Sequence, residues 1–154
     1  MQQQIADLLR GTGRTLSTAE SCTGGNISHL ITTVSGSSEY YVGSVISYAV
    51  AVKENVLGVR HETVENNGVV SSEVAFEMAE GVRRVLGTTF SVSITGLAGK
   101  DGDDHYPGGT AWIGISGPKG TRTSICHCDN DRKGNIDEFT NIALNLLKDY
   151  IEEC

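Results

Sequence analysis

Two apolar periods take turns along this chain, and that exchange restricts the fold more than any other feature. Helical spacing runs over residues 2–10, where Ile5, Leu8 and Leu9 share a face, and over Gly24 to Val34, with Ile27, Leu30, Ile31 and Val34 at i, i+3, i+4 and i+7. It returns in a short segment with Val52, Val56 and Leu57, and again over about 72–86, with Val74, Ala75, Met78, Val82, Val85 and Leu86. A last helix carries Ile142, Leu146, Leu147 and Ile151. Strand character marks 15–19, 41–48, 90–96, "GTAWIGIS" and "TRTSICHC".

Punctuation residues agree with this division. Ser71 suits an N-cap with Glu73 in the first turn, and Gly87 ends that helix. Asn135 and Glu138 resemble a capping pair for the final helix. "SGSSEY", "ENNGVV" (65–70) and the Gly/Asp-rich stretch 96–108 read as loops or turns, and Gly117-Pro118-Lys119-Gly120 as a hairpin. The order is helix, strand, helix, strand, helix, helix, strand, strand, strand, helix. It predicts a three-layer α/β/α sandwich, with a mixed central sheet because of the late hairpin. With 154 residues and no linker-like break or repeat, a single domain over 1–154 is expected.

Charge narrows the partners. A net charge of −7 without any dense Lys/Arg run disfavours nucleic acid and anionic lipid, which demand basic surfaces. No apolar run approaches the roughly 18 residues of a membrane span, and "MQQQIADLLR" lacks the features of a secretion signal. A cytoplasmic location with no membrane partner is expected, and with it reduced thiols at Cys22, Cys126, Cys128 and Cys154. Strand alternation puts Cys126 and Cys128 on one face and His127 on the other, and no C-x-x-C accompanies them, so no metal or other cofactor is expected.

Four segments can carry chemistry. In "TAESCTGG", 18–25, Ser21 follows a strand and precedes a glycine-led helix start. Glycines permit close approach of a ligand to the backbone, and free N–H groups there favour a phosphate or an oxyanion. Ser21 can be a nucleophile if a base reaches it, and Ser21 or Thr23 can equally be a plain helix cap. Cys22 reads as packing. In "SYAVAVK", Tyr48 ends a strand, and Lys53 lies in the next helix, where burial can make it a general base. "SITGLAGKDGDD" opens a strand into a glycine-rich loop able to wrap a ligand through its amides. In "DNDRKGN", Arg132 stands just before the final helix and can clamp a phosphate, or remain a solvated loop arginine.

Those segments in that order, joined by "GVVS" and "GGTAWIGI", resemble the CinA C-terminal domain family, through nearly the whole chain. The resemblance implies hydrolysis of the carboxamide of nicotinamide mononucleotide (NMN), a small-molecule nucleotide substrate, giving nicotinate mononucleotide and ammonia. It implies Ser21 as nucleophile, Lys53 as its base and Tyr48 as the partner of both, without a metal. It further implies substrate contacts from Thr23, Gly24, Gly25, Thr95, Gly96 and Arg132, and a homo-oligomer, for which Tyr40 and Tyr41 are interface candidates. Larger family members also carry an N-terminal nucleotide-hydrolase-like domain, so pyrophosphatase activity is not expected of these 154 residues.

Three positions depart from the family pattern. Val50 stands in place of the usual Asn, Lys100 in place of Pro, and Ile136 in place of a second Arg. These departures bear on substrate specificity more than on amide chemistry, because Ser21, Tyr48 and Lys53 all remain.

Overall fold

The computed structural model describes residues 1–154 and contains one five-stranded sheet in the order β2-β1-β3-β4-β5. The elements are α1 (Gln2–Leu9), β1 (Leu16–Glu20), α2 (Asn26–Thr32), β2 (Tyr41–Ile46), α3 (Val50–Asn55), α4 (His61–Asn67), α5 (Ser72–Leu86), β3 (Phe90–Gly96), β4 (Thr110–Gly117), β5 (Gly120–His127) and α6 (Arg132–Glu152). β1 pairs in parallel with β2 and β3, whereas β3–β4 and β4–β5 are antiparallel. The sheet is therefore mixed, and helices cover both faces, as the alternation of periods predicts.

On one face, α1, α2 and α6 close over the larger core. Ile5, Leu9, Ile27, Ile31, Phe139 and Leu147 pack there against Leu16, Phe90, Val92, Ile94 and Ile113 of the strands. On the other face α5 lies over the sheet, with Val74, Met78 and Val82 against Ala19, Leu57 and Val59. The alternation in "FSVSITG" has a specific cause, since β3 is buried on both faces. Its apolar residues enter the larger core. Its hydroxyls face α5, where Ser91 Oγ and Ser93 Oγ each donate at 2.6 Å to the carbonyls of Ala79 and Ala75. Those carbonyls offer a second lone pair beside the helix ladder. Small residues permit the approach: a Cβ at Gly114 would lie 2.6 Å from the Ala75 carbonyl oxygen.

Several expected boundaries shift. The stretch called a turn at 65–70 contains the end of α4, whose "HETVENN" has one buried residue, Thr63, and so no apolar stripe. The final helix starts at Arg132, because Asp131 caps it by accepting from the Gly134 amide at 2.8 Å. Asn135 and Glu138 are not its cap; both instead bind Asn130, as acceptors from its amide and side chain. Gly24 and Gly25, at φ +60° and +107°, form a turn ahead of α2 rather than its first residues. β2 stops at Ile46, which leaves Ser47 and Tyr48 beyond the sheet. Tyr40 is buried, so its side chain is not available to an interface, whereas Tyr41 is half-buried with its hydroxyl bonded to Ser28 and Thr18 within the chain. No helix is long and apolar enough to cross a membrane.

The topology also places a crevice. The chain leaves β1 through α2 on one face to β2, then crosses by α3–α5 on the other face to β3, on the far side of β1. Connections diverge at the carboxyl end of β1, the usual position of a ligand crevice in open α/β sheets.

Candidate active site

Beyond the carboxyl ends of β1 and β3 lies a cavity of about 490 Å³. Ser21, Cys22, Tyr48, Lys53, Thr95, Gly96 and Arg132 all line it, so all four chemistry-bearing segments converge there. Thr23, Gly24 and Gly25 do not line it.

Glu20 organises the turn that carries Ser21. Its carboxylate is fully buried and accepts from Thr23 Oγ1 (2.7 Å), the Ile27 amide (3.0 Å), the Ser28 amide (2.8 Å) and, more weakly, Thr18 Oγ1 (3.4 Å). The amides that α2 would offer an anion are thus already occupied by Glu20. What stays open is the turn itself. No other residue accepts from the N–H groups of Cys22, Thr23 and Gly25. The amide of Gly24 bonds back to the Ser21 carbonyl at 3.1 Å and tightens the bend.

Lys53 reaches Ser21. Its Nζ donates to Ser21 Oγ at 2.8 Å and to the Ser47 carbonyl at 2.6 Å, with the Tyr48 carbonyl at 3.4 Å. Ser47 in turn donates from its amide to the Glu20 carbonyl at 2.7 Å and from its hydroxyl at 3.3 Å. The two segments bearing Ser21 and Lys53 are therefore tied by main-chain bonds. Lys53 is completely buried, and no carboxylate pairs with it. Loss of hydration lowers its pKa from 10.5 to about 8, opposed only by neighbouring Cys22. Burial also pushes the Cys22 thiol up to about 12, so it stays protonated and non-nucleophilic.

Tyr48 has a different place from the one expected. Only its carbonyl faces Lys53; the ring is 64% exposed and the phenol oxygen accepts from Arg132 Nη2 at 3.3 Å. The hydroxyl thus bridges to the start of α6 and is not the partner of Ser21 and Lys53. Thr95 Oγ1 is engaged by the Val69 carbonyl at 3.0 Å. Gly96 is required by its neighbour, since a Cβ there would come within 2.6 Å of the Ala111 methyl.

Sequence reasoning missed the apolar wall formed by Val69, Val70, Leu97 and Ala98. It also missed Asn135, a buried residue whose Nδ2 donates to the Ala98 carbonyl at 2.8 Å and pins the loop to α6. The adjacency of "GVVS" and "GLAGKDG" to the expected motifs was the available signal. Of the three departures from the family pattern, Val50 does not line the cavity and Ile136 packs against the larger core, whereas Lys100 stands on the cavity wall.

Comparisons with known proteins show the family and the fold. The CinA C-terminal domain family model matches residues 1–151. A CinA-like protein of Desulfosudis oleivorans is 43% identical over 150 residues, covering 96% of this chain and 36% of the relative. A CinA-like protein of Salinibacter ruber is 43% identical over 145 residues, covering 94% and 35%. The chain thus spans about a third of the length of these relatives. Among solved structures, competence damage-inducible protein A of Klebsiella pneumoniae superposes with a TM-score of 0.93 at 30% identity, covering 96% of this chain and 92% of that one. The protein CihA of Agrobacterium tumefaciens gives 0.90 at 30%, covering 95% and 90%.

Proposed function

The chain belongs to the CinA C-terminal domain family, and from that premise we propose that it is a metal-independent Ser–Lys amidohydrolase acting on the carboxamide of NMN. One observation carries this reading: a buried lysine with a depressed pKa, in hydrogen-bond contact with a serine at the mouth of a cavity.

The chemistry follows from the contacts. Neutral Lys53 takes the Ser21 Oγ proton as Oγ attacks the amide carbonyl carbon. The oxygen that gains charge is served by the open N–H group of Cys22, the one open amide of the turn that belongs to a residue lining the cavity. Collapse breaks the C–N bond, and the Lys53 ammonium returns the proton to the departing nitrogen, which leaves as ammonia. A water molecule, deprotonated by neutral Lys53, then attacks the acyl ester, and as the ester C–O bond breaks the Lys53 ammonium returns that proton to Ser21 Oγ, releasing nicotinate mononucleotide and restoring both side chains. The main-chain bonds of Ser47 keep Lys53 Nζ fixed through these proton transfers. The apolar wall of Val69, Val70, Leu97 and Ala98 suits a planar ring.

The test is ammonia release from NMN by the purified protein, beside Ser21→Ala and Lys53→Ala. Activity in the parent protein that both substitutions abolish supports the reading; activity that survives both overturns it.

A further inference from the structure

Lys100 and Arg132 are two cations on the wall of the cleft, and neither has a carboxylate partner within ion-pairing distance. This occurs in a chain of net charge −7, where acids are plentiful. The acids on the same wall are Asp101 and Asp103. Asp103 is committed to its own loop, accepting from the amides of His105 and Tyr106 at 2.8 Å each. The two cations come from different segments of the cavity wall, and Arg132 reaches the backbone beside Lys100. Arg132 Nη1 lies so close to Gly99, the residue before Lys100, that a Cβ there would be 3.3 Å away.

Tyr48 sets the distance from this cationic corner to the reacting atoms. Its carbonyl touches Lys53 Nζ and its phenol oxygen touches Arg132 Nη2, so the corner lies one tyrosine's length from the Ser21–Lys53 pair. A ligand with its amide at Ser21 therefore presents its far end to Lys100 and Arg132. Asp101 and Asp103 on the same wall balance the net charge of this corner, so the hold on an anion comes from direct contact with the two unpaired cationic side chains. A phosphate monoester, carrying close to two charges, suits two separate cations better than a singly charged carboxylate.

Resting on the amidohydrolase reading above, we propose that Lys100 is a specificity-determining residue that, with Arg132, holds a phosphate monoester at the end of the substrate remote from the scissile amide. It selects the phosphorylated carboxamide over its nucleoside. Lys100 is exposed and belongs to no hydrogen-bond network, so replacing it leaves the fold intact.

The experiment compares NMN with nicotinamide riboside in the parent protein, Lys100→Ala and Lys100→Glu, at low and physiological salt, with thermal melting as the folding control. Lys100→Ala raises KM for NMN about three- to fivefold, the range of an exposed ion pair. Lys100→Glu raises it further. In both, kcat and the KM for the riboside stay unchanged, and the NMN effect shrinks as salt screens it. A Lys100→Ala protein that treats both substrates as the parent does, or weakens both alike, overturns the proposal. If the parent releases no ammonia from either compound, the amidohydrolase reading has failed, and calorimetric binding then decides the role of Lys100. Phosphate-dependent binding that Lys100→Ala removes sustains it; binding without phosphate preference, or no binding, overturns it.

Discussion

Lys53 Nζ lies 2.8 Å from Ser21 Oγ, although 32 positions separate the two residues in the chain. Their contact is built on backbone: Ser47 binds the Glu20 carbonyl with its amide and receives Lys53 on its own carbonyl. Substitution of either member should therefore remove catalysis rather than binding. Ser21→Ala and Lys53→Ala are expected to lower kcat for amide hydrolysis at least about a thousandfold, as when a nucleophile or its base is deleted, with thermal melts still cooperative. Lys53→Arg is expected to be equally inactive, because a guanidinium does not release its proton. Steady-state ammonia release measures all three.

The rate should follow the titration of Lys53. Only the neutral amine can accept the serine proton, and the folded pKa is about 8, below the ordinary 10.5. As pH falls below about 8 the amine is increasingly protonated, so kcat/KM is expected to drop close to tenfold per pH unit between 7 and 6 and to level off above about 8. A pH series from 6 to 9 at fixed ionic strength checks this. A profile flat across that range would remove Lys53 from the role of base.

Much of this arrangement was legible in the sequence because it is carried by periodicity and small residues. The strand expected at 15–19, found one residue later at Leu16–Glu20, the strand "FSVSITG", the cap at Ser71 and the hairpin at Pro118-Lys119 all follow from local spacing. What was illegible depends on tertiary contacts. α4 exists because Thr63 and Arg60 both bind Glu77 of α5, not because it has an apolar face. Nothing in the local sequence marks Glu20 as more than an acid before Ser21, yet its carboxylate is the buried anchor of the turn. The family resemblance puts Tyr48 with the serine and lysine, whereas the end of β2 at Ile46 frees its ring to reach Arg132.

The lysine that supports chemistry also weakens the fold. In the unfolded chain it titrates near 10.5 and in the folded protein near 8, so between those values the unfolded state binds more protons and stability rises with pH. Below about 8 both states are protonated and the full penalty applies, on the order of 3 kcal/mol. Lys53→Met removes that penalty but leaves the Ser47 carbonyl without its strongest donor, a loss of about 1–3 kcal/mol. The sharp expectation is therefore the pH trend. Urea unfolding should show Lys53→Met gaining most on the parent protein at pH 7 and losing that advantage progressively as pH rises from 8 toward 10.5.

Tyr48→Phe separates the two ends of the tyrosine. It keeps the carbonyl that faces Lys53 and deletes the oxygen that accepts from Arg132. The expected result is kcat within about twofold of the parent and a rise in KM of up to about threefold, the scale of one exposed polar contact. A fall in kcat of a hundredfold would instead place the hydroxyl at the reacting atoms in the substrate complex. Steady-state kinetics on NMN, with Arg132→Ala in parallel, distinguishes these outcomes.

Glu20 makes the strongest demand on the fold. Its buried carboxylate accepts from two hydroxyls and two α2 amides. Glu20→Ala leaves the Thr23 hydroxyl and the Ile27 and Ser28 amides without their partner, while Thr18 keeps its contact with Tyr41, at a cost of about 3 kcal/mol or more. Glu20→Gln preserves shape but turns one acceptor into a donor facing other donors, so a loss of about 1–3 kcal/mol is expected. Urea midpoints at constant m measure both. Because the same carboxylate fixes Thr23 and the start of α2, Glu20→Gln should also loosen Ser21 against Lys53 and depress kcat at temperatures where the protein is still folded. A Glu20→Gln protein with unchanged midpoint and unchanged kcat would show that the turn holds Ser21 without it.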